Sequence, residues 1–449
     1  MSLLVIDWLS VGVKIAQFIL SFSILVVLHE LGHYIPAKIF KCRVEKFYLF
    51  FNPWFSLWKK QKGETEYGLG WIPFGGYVKI SGMIDESMDK EQMNAPAQPW
   101  EFRSKPAWQR LIIMVGGVVV NVILAIVIFI GITWMWGEQN LPIKNMKYGV
   151  YTDSLAQSIG LKDGDNVVGI DGKAIQNFGT LEADMVLGEA KKLQVVRDSQ
   201  TIDIAIPEAF ARNLVKNKKF SGLIFPRYPA VVESLASSAT VTSGELKKGD
   251  TLIGINDHSF RYFHEFDATK KQYKDSVVTL TLLRGADTVH AKILVNNKGA
   301  LGVFLLTPLQ ILGSVTTEYT LLQSIPIGVS HCWETLTKYV TGIKQIFTGK
   351  VNPNDSLGSV ISIGNTFPGV WDWEKFWTLT GIFSIILAFM NILPIPALDG
   401  GHALFTIYEI ITGRKPGDKF MEYAQMAGMI LLLGLMAYAL GLDFWRLLK

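Results

Sequence analysis

Four stretches of the chain stay apolar long enough to cross a membrane, and the segments between them follow other patterns. A bilayer's hydrocarbon layer of roughly 30 Å takes about 20 residues of helix. Residues 11–35 form the first run, with Pro36 placed to stop or kink it. Residues 111–136 form the second and carry no charge at all. The third, 376–394, ends near MNILPIPALDGG, and the fourth, 426–442, is followed by DFWRLLK. After the first run, FYLFFNPWFSLW, TEYGLGWI and GGYVKI read as short aromatic strands with turns. They predict a small sheet that either dips into the membrane or lies on its surface.

The long region between the second and third runs contains a repeat. LKDGDNVVGIDG at 161–172 answers LKKGDTLIGIND at 246–257, 85 residues later. Each copy has a Gly-Asp turn, a short apolar strand and further alternating segments, which predicts two β-rich domains. Beyond them Val329, Trp333, Leu336, Val340, Ile343 and Phe347 recur at steps of four and three. That is one face of an amphipathic helix, expected on the membrane surface in preference to the β domains, because it leads back to the third run.

The predicted fold is therefore a polytopic α-helical membrane protein with four transmembrane helices, two β-rich domains and a short membrane-associated β segment. The expected partition is a first helix at 1–36, the β segment at 37–108 and a second helix at 109–137. The two β domains take 138–223 and 224–308, and the amphipathic helix and linker 309–374. A third transmembrane segment occupies 375–402, and a loop with the fourth helix occupies 403–449.

Composition agrees with this division. The 449 residues are 49% hydrophobic and 18% charged, with the charges gathered between the apolar blocks. A net charge of +4 over this length does not argue for nucleic acid. Lys38, Lys41, Arg43, Lys46, Lys59, Lys60 and Lys62 follow the first run, and Arg414, Lys415 and Lys419 follow the third. The positive-inside rule puts both loops in the cytoplasm, and the β domains and both termini outside. Cys42 and Cys332 then lie on opposite sides and are expected as free thiols. The N-terminus has no basic n-region and no small-residue cleavage site, so the first run is expected to stay as a span and not to be removed as a signal peptide.

The chemistry sits where it costs most. His29 and His33 are four residues apart in a predicted helix, on one face and one turn apart, able to grip one metal ion. Neutral imidazole suits zinc, and a catalytic zinc site keeps one position open for water. Glu30, beside the first histidine, is placed as general base, and Gly32 adds little bulk between the ligands. HExxH alone is a short pattern. Ionisable groups inside a span, however, cost several kcal/mol each unless paired or functional. For a third ligand the candidates are Asp399 in LDGGH and, as its rival, His402. Pro394 and Pro396 break the third run there, and Gly400 and Gly401 allow a close turn.

Together, HELGH in the first span, WIPFGGYVKISGM after it, the tandem repeat and NILPIPALDGG in the third span resemble the bacterial site-2 proteases. The closest resemblance is to the RseP group, zinc intramembrane proteases with two periplasmic PDZ domains. It covers essentially the whole chain. It implies His29, His33 and Asp399 as zinc ligands, Glu30 as catalytic base, and Asn391 as a group holding the substrate or its oxyanion. The alternative reading of Asn391, from the residues alone, is a cap or helix-to-helix hydrogen bond. Two departures stand out. Gly117 and Asn121 keep a Gly-Pro-x-x-Asn spacing, but Val118 replaces the proline, and a Gly-Pro expected before the third span is missing from DSLGSVISIG.

A peptide bond in a transmembrane helix is reached only if the helix unwinds, and the unwound strand needs backbone partners. WIPFGGYVKI is a candidate edge strand for it, with Gly75 and Gly76 allowing close approach and Tyr77 within the pairing stretch. FPRYPAVVES at 225–234 is either part of a peptide groove in the second β domain or a plain linker and strand. The resemblance implies pre-trimmed single-span substrates such as anti-sigma factors and remnant signal peptides, an upstream site-1 protease that acts first, and a bacterial inner membrane. The competing readings are a non-enzymatic scaffold with a structural metal site, and a soluble-type zincin tethered to the membrane.

Overall fold

The computed structural model describes residues 8–448 except 84–95, 187–189, 211–212, 214–221, 237–238, 298 and 357. Its contacts divide the chain into two units. One comprises 1–137, 318–340 and 357–449, and the other 138–317 and 341–356.

The helices of the first unit are α1 (Trp8–Ile39), α2 (Ala107–Trp136), α3 (Leu321–Phe347, continuing past the unit's edge), α4 (Val360–Thr366), α5 (Trp373–Ile392), α6 (Asp399–Thr412) and α7 (Asp418–Leu448). Four of them, α1, α2, α5 and α7, are long and apolar enough to span a membrane. Their large side chains are widely exposed, among them Ile123, Val127, Ile430 and Leu431, as suits a surface solvated by lipid.

Three boundaries differ from expectation. Pro36 does not end α1, which runs on to Ile39. A proline gives up its own bond to the carbonyl four residues back and crowds that carbonyl, which here belongs to Gly32, where α2 crosses closely. A Cβ on Gly32 would come 2.7 Å from the Cα of Gly117. The third segment, expected at 375–402 with a break at Pro394 and Pro396, does break there but runs further: α5 stops at Ile392, and α6 begins at Asp399 after a tight turn and continues to Thr412. The fourth helix, expected at 426–442, spans 418–448 and takes in DFWRLL.

The segment after α1 is a four-stranded sheet of β1 (Val44–Phe51), β2 (Trp58–Lys62), β3 (Thr65–Leu69) and β4 (Ile72–Ile80), in the order β2-β3-β1-β4. β1 and β3 run parallel, and the other pairs antiparallel. Its core joins Val44 and Ile80 to Ala37 of α1 and to Ile113 and Met114 of α2.

The amphipathic stretch is helical as α3. It neither lies alone on a surface nor packs through its whole apolar face. Trp333 and Phe347 are exposed, while Gly328 sits against the Ile130 backbone and Cys332 packs with Phe129 of α2 and Ile385 of α5. Small residues let the backbones meet, leaving the large apolar ones to face outward.

The second unit holds two β modules with separate cores. The first contains β5 (Val150–Thr152), β6 (Asn166–Ile170), β7 (Lys192–Arg197), β8 (Gln200–Ala205) and β9 (Ile224–Pro226). The second contains β10 (Ala230–Leu235), β11 (Thr251–Ile255), β12 (Ser276–Arg284), β13 (Asp287–Val295) and β14 (Val303–Leu305). The internal repeat reappears in their polar details. Asp165 accepts from Lys162 N and from both Nε and Nη2 of Arg197. Asp250 likewise accepts from Lys247 N and from Nε and Nη2 of Arg284. The expected boundary at 223/224 falls in the wrong place: β9 pairs with β5, and Ile224 belongs to the first core. FPRYPAVVES thus joins the end of one module to the first strand of the next, and Arg227 between them lies 3.9 Å from the Tyr262 ring.

Candidate metal centre

The site is made where α1, α2, α5 and α6 meet. α1 brings His29 and His33 onto one face. The imidazoles need space on the α2 side, and Gly117 provides it, since a Cβ there would lie 2.5 Å from His33 Nε2 and 2.6 Å from His29 Cε1. Val118, where the proline was expected, is buried in an uninterrupted α2. At the far end of the chain α5 stops, and the sequence LPIPAL makes a turn closed by Ile395 N to Leu393 O and Leu398 N to Ile395 O. Ala397 adopts φ +82, a conformation that a residue with a Cβ pays strain to hold. Gly400 and Gly401 fold α6 back against this turn, where a Cβ on Gly401 would meet the Ile395 carbonyl at 2.6 Å. Asp399 thereby opens α6, at the helix end that favours negative charge.

Three donor atoms converge. Asp399 Oδ2 lies 3.2 Å from His29 Nε2 and 3.3 Å from His33 Nε2, and the two Nε2 atoms are 3.3 Å apart. Ligands about 2.0–2.1 Å from a tetrahedral zinc are separated by roughly 3.3–3.4 Å, so the trio has the spacing of three corners of such a site. Two orphaned atoms point the same way. Asp399 Oδ2 and Asn121 Oδ1 are buried without a hydrogen-bond partner. The Asn121 amide Nδ2 faces His29 Nδ1 at 3.1 Å. When Nε2 serves a metal, the ring proton resides on Nδ1, and a half-turn of the Asn121 amide lets Oδ1 accept it. His33 needs no such adjustment, because its Nδ1 donates to Ile113 O at 2.8 Å. The residues present fit a zinc ion.

The trio opens on a cavity of about 700 Å³. Glu30 lines it, as do Gly76 and Tyr77 of β4, His402 and Gln425. Asn391 reaches the site from α5, its Nδ2 3.2 Å from His29 Nε2. Of the residues expected to serve the site, His29, Glu30, His33, Asn391, Asp399, Gly76 and Tyr77 are brought together. Gly75 is not among the cavity residues. It has φ +140, and a Cβ there would meet the Phe51 ring at 2.6 Å. Gly76 serves packing as well as access, because a Cβ there would meet Val26 at 2.6 Å and Glu30 Cγ at 3.7 Å. His402 lines the cavity, but the close group among the described residues is His29, His33 and Asp399. In the sequence, Gly117 and Asn121 stand out only as a spacing. Their roles, room for the rings and a partner for Nδ1, needed the helix crossing.

The model of peptidase family M50 matches residues 17–435. This chain belongs to that family. It is an integral membrane protein and a zinc metalloendopeptidase of the site-2 protease kind. A Neisseria meningitidis protein bearing the name of a zinc metalloprotease is 27% identical over 460 residues, covering 96% of this chain and 98% of its own. The Regulator of sigma-E protease RseP of Salmonella typhimurium is 26% identical over 467 residues, covering 98% of this chain and 100% of its own. Like other site-2 proteases, the chain is an intramembrane protease that uses zinc.

Proposed function

We propose that His29, His33 and Asp399 hold the zinc, that Glu30 is the general base, and that the cavity beside them receives an unwound transmembrane substrate. The observation that carries this is the convergence of three donor atoms on a cavity walled by the last strand of a sheet. Bound zinc supplies Lewis-acid polarisation of the scissile carbonyl and of the attacking water. Glu30 takes the water's proton and delivers it to the departing amine. The Asn391 amide, whose Nδ2 stands 3.2 Å from His29 Nε2, donates to the carbonyl oxygen as charge develops there. β4 has β1 on one side only among the described residues, which leaves its other edge for the unwound strand. Orphaned backbone groups in lipid cost several kcal/mol each, so an edge that pairs them offsets much of the cost of unwinding.

The two β modules are read as PDZ domains on the periplasmic face of a bacterial inner membrane, with the metal centre toward the cytoplasm. Lysines and arginines between α1 and α2 and after α6 support that orientation. The modules screen out proteins with bulky outer domains, so the substrates are single-span proteins already trimmed by an upstream site-1 protease, with anti-sigma factors and remnant signal peptides as the named classes. The test uses the purified protein in liposomes with a single-span model substrate. Glu30→Gln is expected to keep its zinc and lose about 10²–10⁴ in cleavage rate. Equal cleavage by both proteins, or none by wild type, refutes the assignment.

A further inference from the structure

We propose that Glu182 is a built-in competitor for the terminal carboxylate of a peptide in the first β module, occupying the backbone nest made by Gly222, Leu223 and Ile224. Three consecutive backbone N–H groups donate to this one side chain. Gly222 N reaches Oε2 at 3.0 Å, and Leu223 N and Ile224 N reach Oε1 at 2.7 and 2.8 Å. Successive N–H groups gathered in this way are how a backbone captures anions and chain-terminal carboxylates. The turn that aims them needs Gly222, which has φ +87 and has the Phe225 ring 2.7 Å from where a Cβ would stand. Leu223 and Ile224 are buried, so their N–H groups have little water to turn to and need an acceptor.

The nest leads directly into β9, a three-residue strand whose one partner among the described residues is β5. An extended peptide that placed its carboxylate in the nest would continue along the other edge of β9 by strand addition. Glu182 reaches the nest from the helix Leu181–Val186, anchored by buried Leu181 and Met185. The occupant is itself a carboxylate, so a ligand carboxylate exchanges for it with no donor left unmet.

The second module lacks this plug. Counting 85 residues on from Glu182 gives Asp267, while Leu181 and Ala183 find Phe266 and Ala268. Asp267 is one methylene shorter and is committed elsewhere, to Lys270 at 2.8 Å and Lys271 at 2.7 Å. Burial raises its pKa, and the two lysines outweigh burial, so it titrates below the usual carboxylate range. Self-occupation therefore distinguishes the first module from its repeat. The inference is independent of the zinc site, since it needs only the β module.

The full-length protein in detergent micelles is titrated with a fluorescein-labelled six-residue peptide, four alanines followed by leucine and valine, with a free terminal carboxylate. The C-terminal amide of the same peptide is the control. A site open only a fraction of the time binds more weakly by that fraction. Glu182→Ala is expected to bind the carboxylate peptide at least about tenfold more tightly than wild type. The amide peptide should gain nothing, and hydrogen exchange at Leu223 and Ile224 should slow when the carboxylate peptide binds. No gain in a folded variant, or an equal gain for the amide peptide, overturns the proposal. Where Glu182→Ala loses exchange protection in β7, Glu182→Gln takes its place, keeping side-chain length and an acceptor oxygen. A gain of roughly threefold supports the nest. No gain, or loss of fold in both variants, reduces Glu182 to a structural brace and overturns it.

Discussion

At the scale of single residues, the proposed metal centre depends on side-chain atoms that are missing as much as on the proposed ligands. Gly117 is the example: both imidazoles occupy the space its side chain would fill. Gly117→Ala is expected to push His29 and His33 apart and weaken zinc binding at least about tenfold, read as metal retained against a competing chelator. Asn121 acts through another residue. Under the proposed zinc assignment its amide, 3.1 Å from His29 Nδ1, sets which nitrogen of His29 carries the proton, and Asn121→Ala is expected to cost about 10–100-fold in zinc affinity with the fold unchanged. Unaltered affinity in that variant would show that His29 is oriented by packing alone. The repeat chemistry asks the same kind of question in the β unit. The Arg284 guanidinium holds the Asp250 carboxyl below its usual range. A depressed carboxylate contributes stability above its unfolded pKa of about 3.9 and loses it as pH falls through the folded value. The second module is therefore expected to be at full stability above about pH 4 and to weaken below it. Asp250→Asn is expected to cost about 2 kcal/mol at neutral pH and to flatten that acid dependence, measured by thermal unfolding across pH.

At the scale of elements, two contacts place the site. The first is the α1–α2 crossing, where Gly32 faces Gly116 and Gly117 with no side chain between. Membrane helices associate through such small residues because lipid is as apolar as the side chains and gives them no reason to cluster. The second is β4 against α1, with Gly76 beside Val26 and Glu30. β4 has a local scaffold of its own, since Tyr77 stacks on Tyr48 at 5.4 Å and its hydroxyl donates to Asn52 at 2.9 Å. Tyr77→Pro removes an N–H and bends the strand, and is expected to abolish cleavage while leaving zinc bound. Cleavage at the wild-type rate in a folded Tyr77→Pro protein would rule β4 out as the substrate's partner.

At the scale of the whole molecule, the chain combines a membrane unit that carries the candidate metal centre with a β unit that carries two modules of one pattern. If the modules screen substrates, then fusing a compact folded domain to the outer end of a cleaved single-span protein should slow its cleavage by at least about tenfold, and deleting the fusion should restore it. Equal rates for the two substrates would leave the modules without a screening role. Length and hydropathy sufficed to find the four spans, because a helix in lipid must be apolar over its whole length. Boundaries set by contacts with other parts of the chain were less legible. Pro36 reads as a stop, yet α1 continues; 223 reads as a domain end, yet β9 completes the first module through β5.

By itself the sequence determined the spans, the tandem repeat and the HELGH helix, because these depend on periodicities that neighbouring residues carry. It also held LDGG, but as a motif more than 360 residues away with two possible donors, Asp399 and His402. Only the tertiary structure brought Asp399 Oδ2 to within 3.3 Å of both Nε2 atoms, opened the space at Gly117, turned Asn121 to His29 and left an edge of β4 along the cavity. Each of those features is a distance between elements remote in the chain. No local pattern records such a distance, because it is set by how closely the helices can pack.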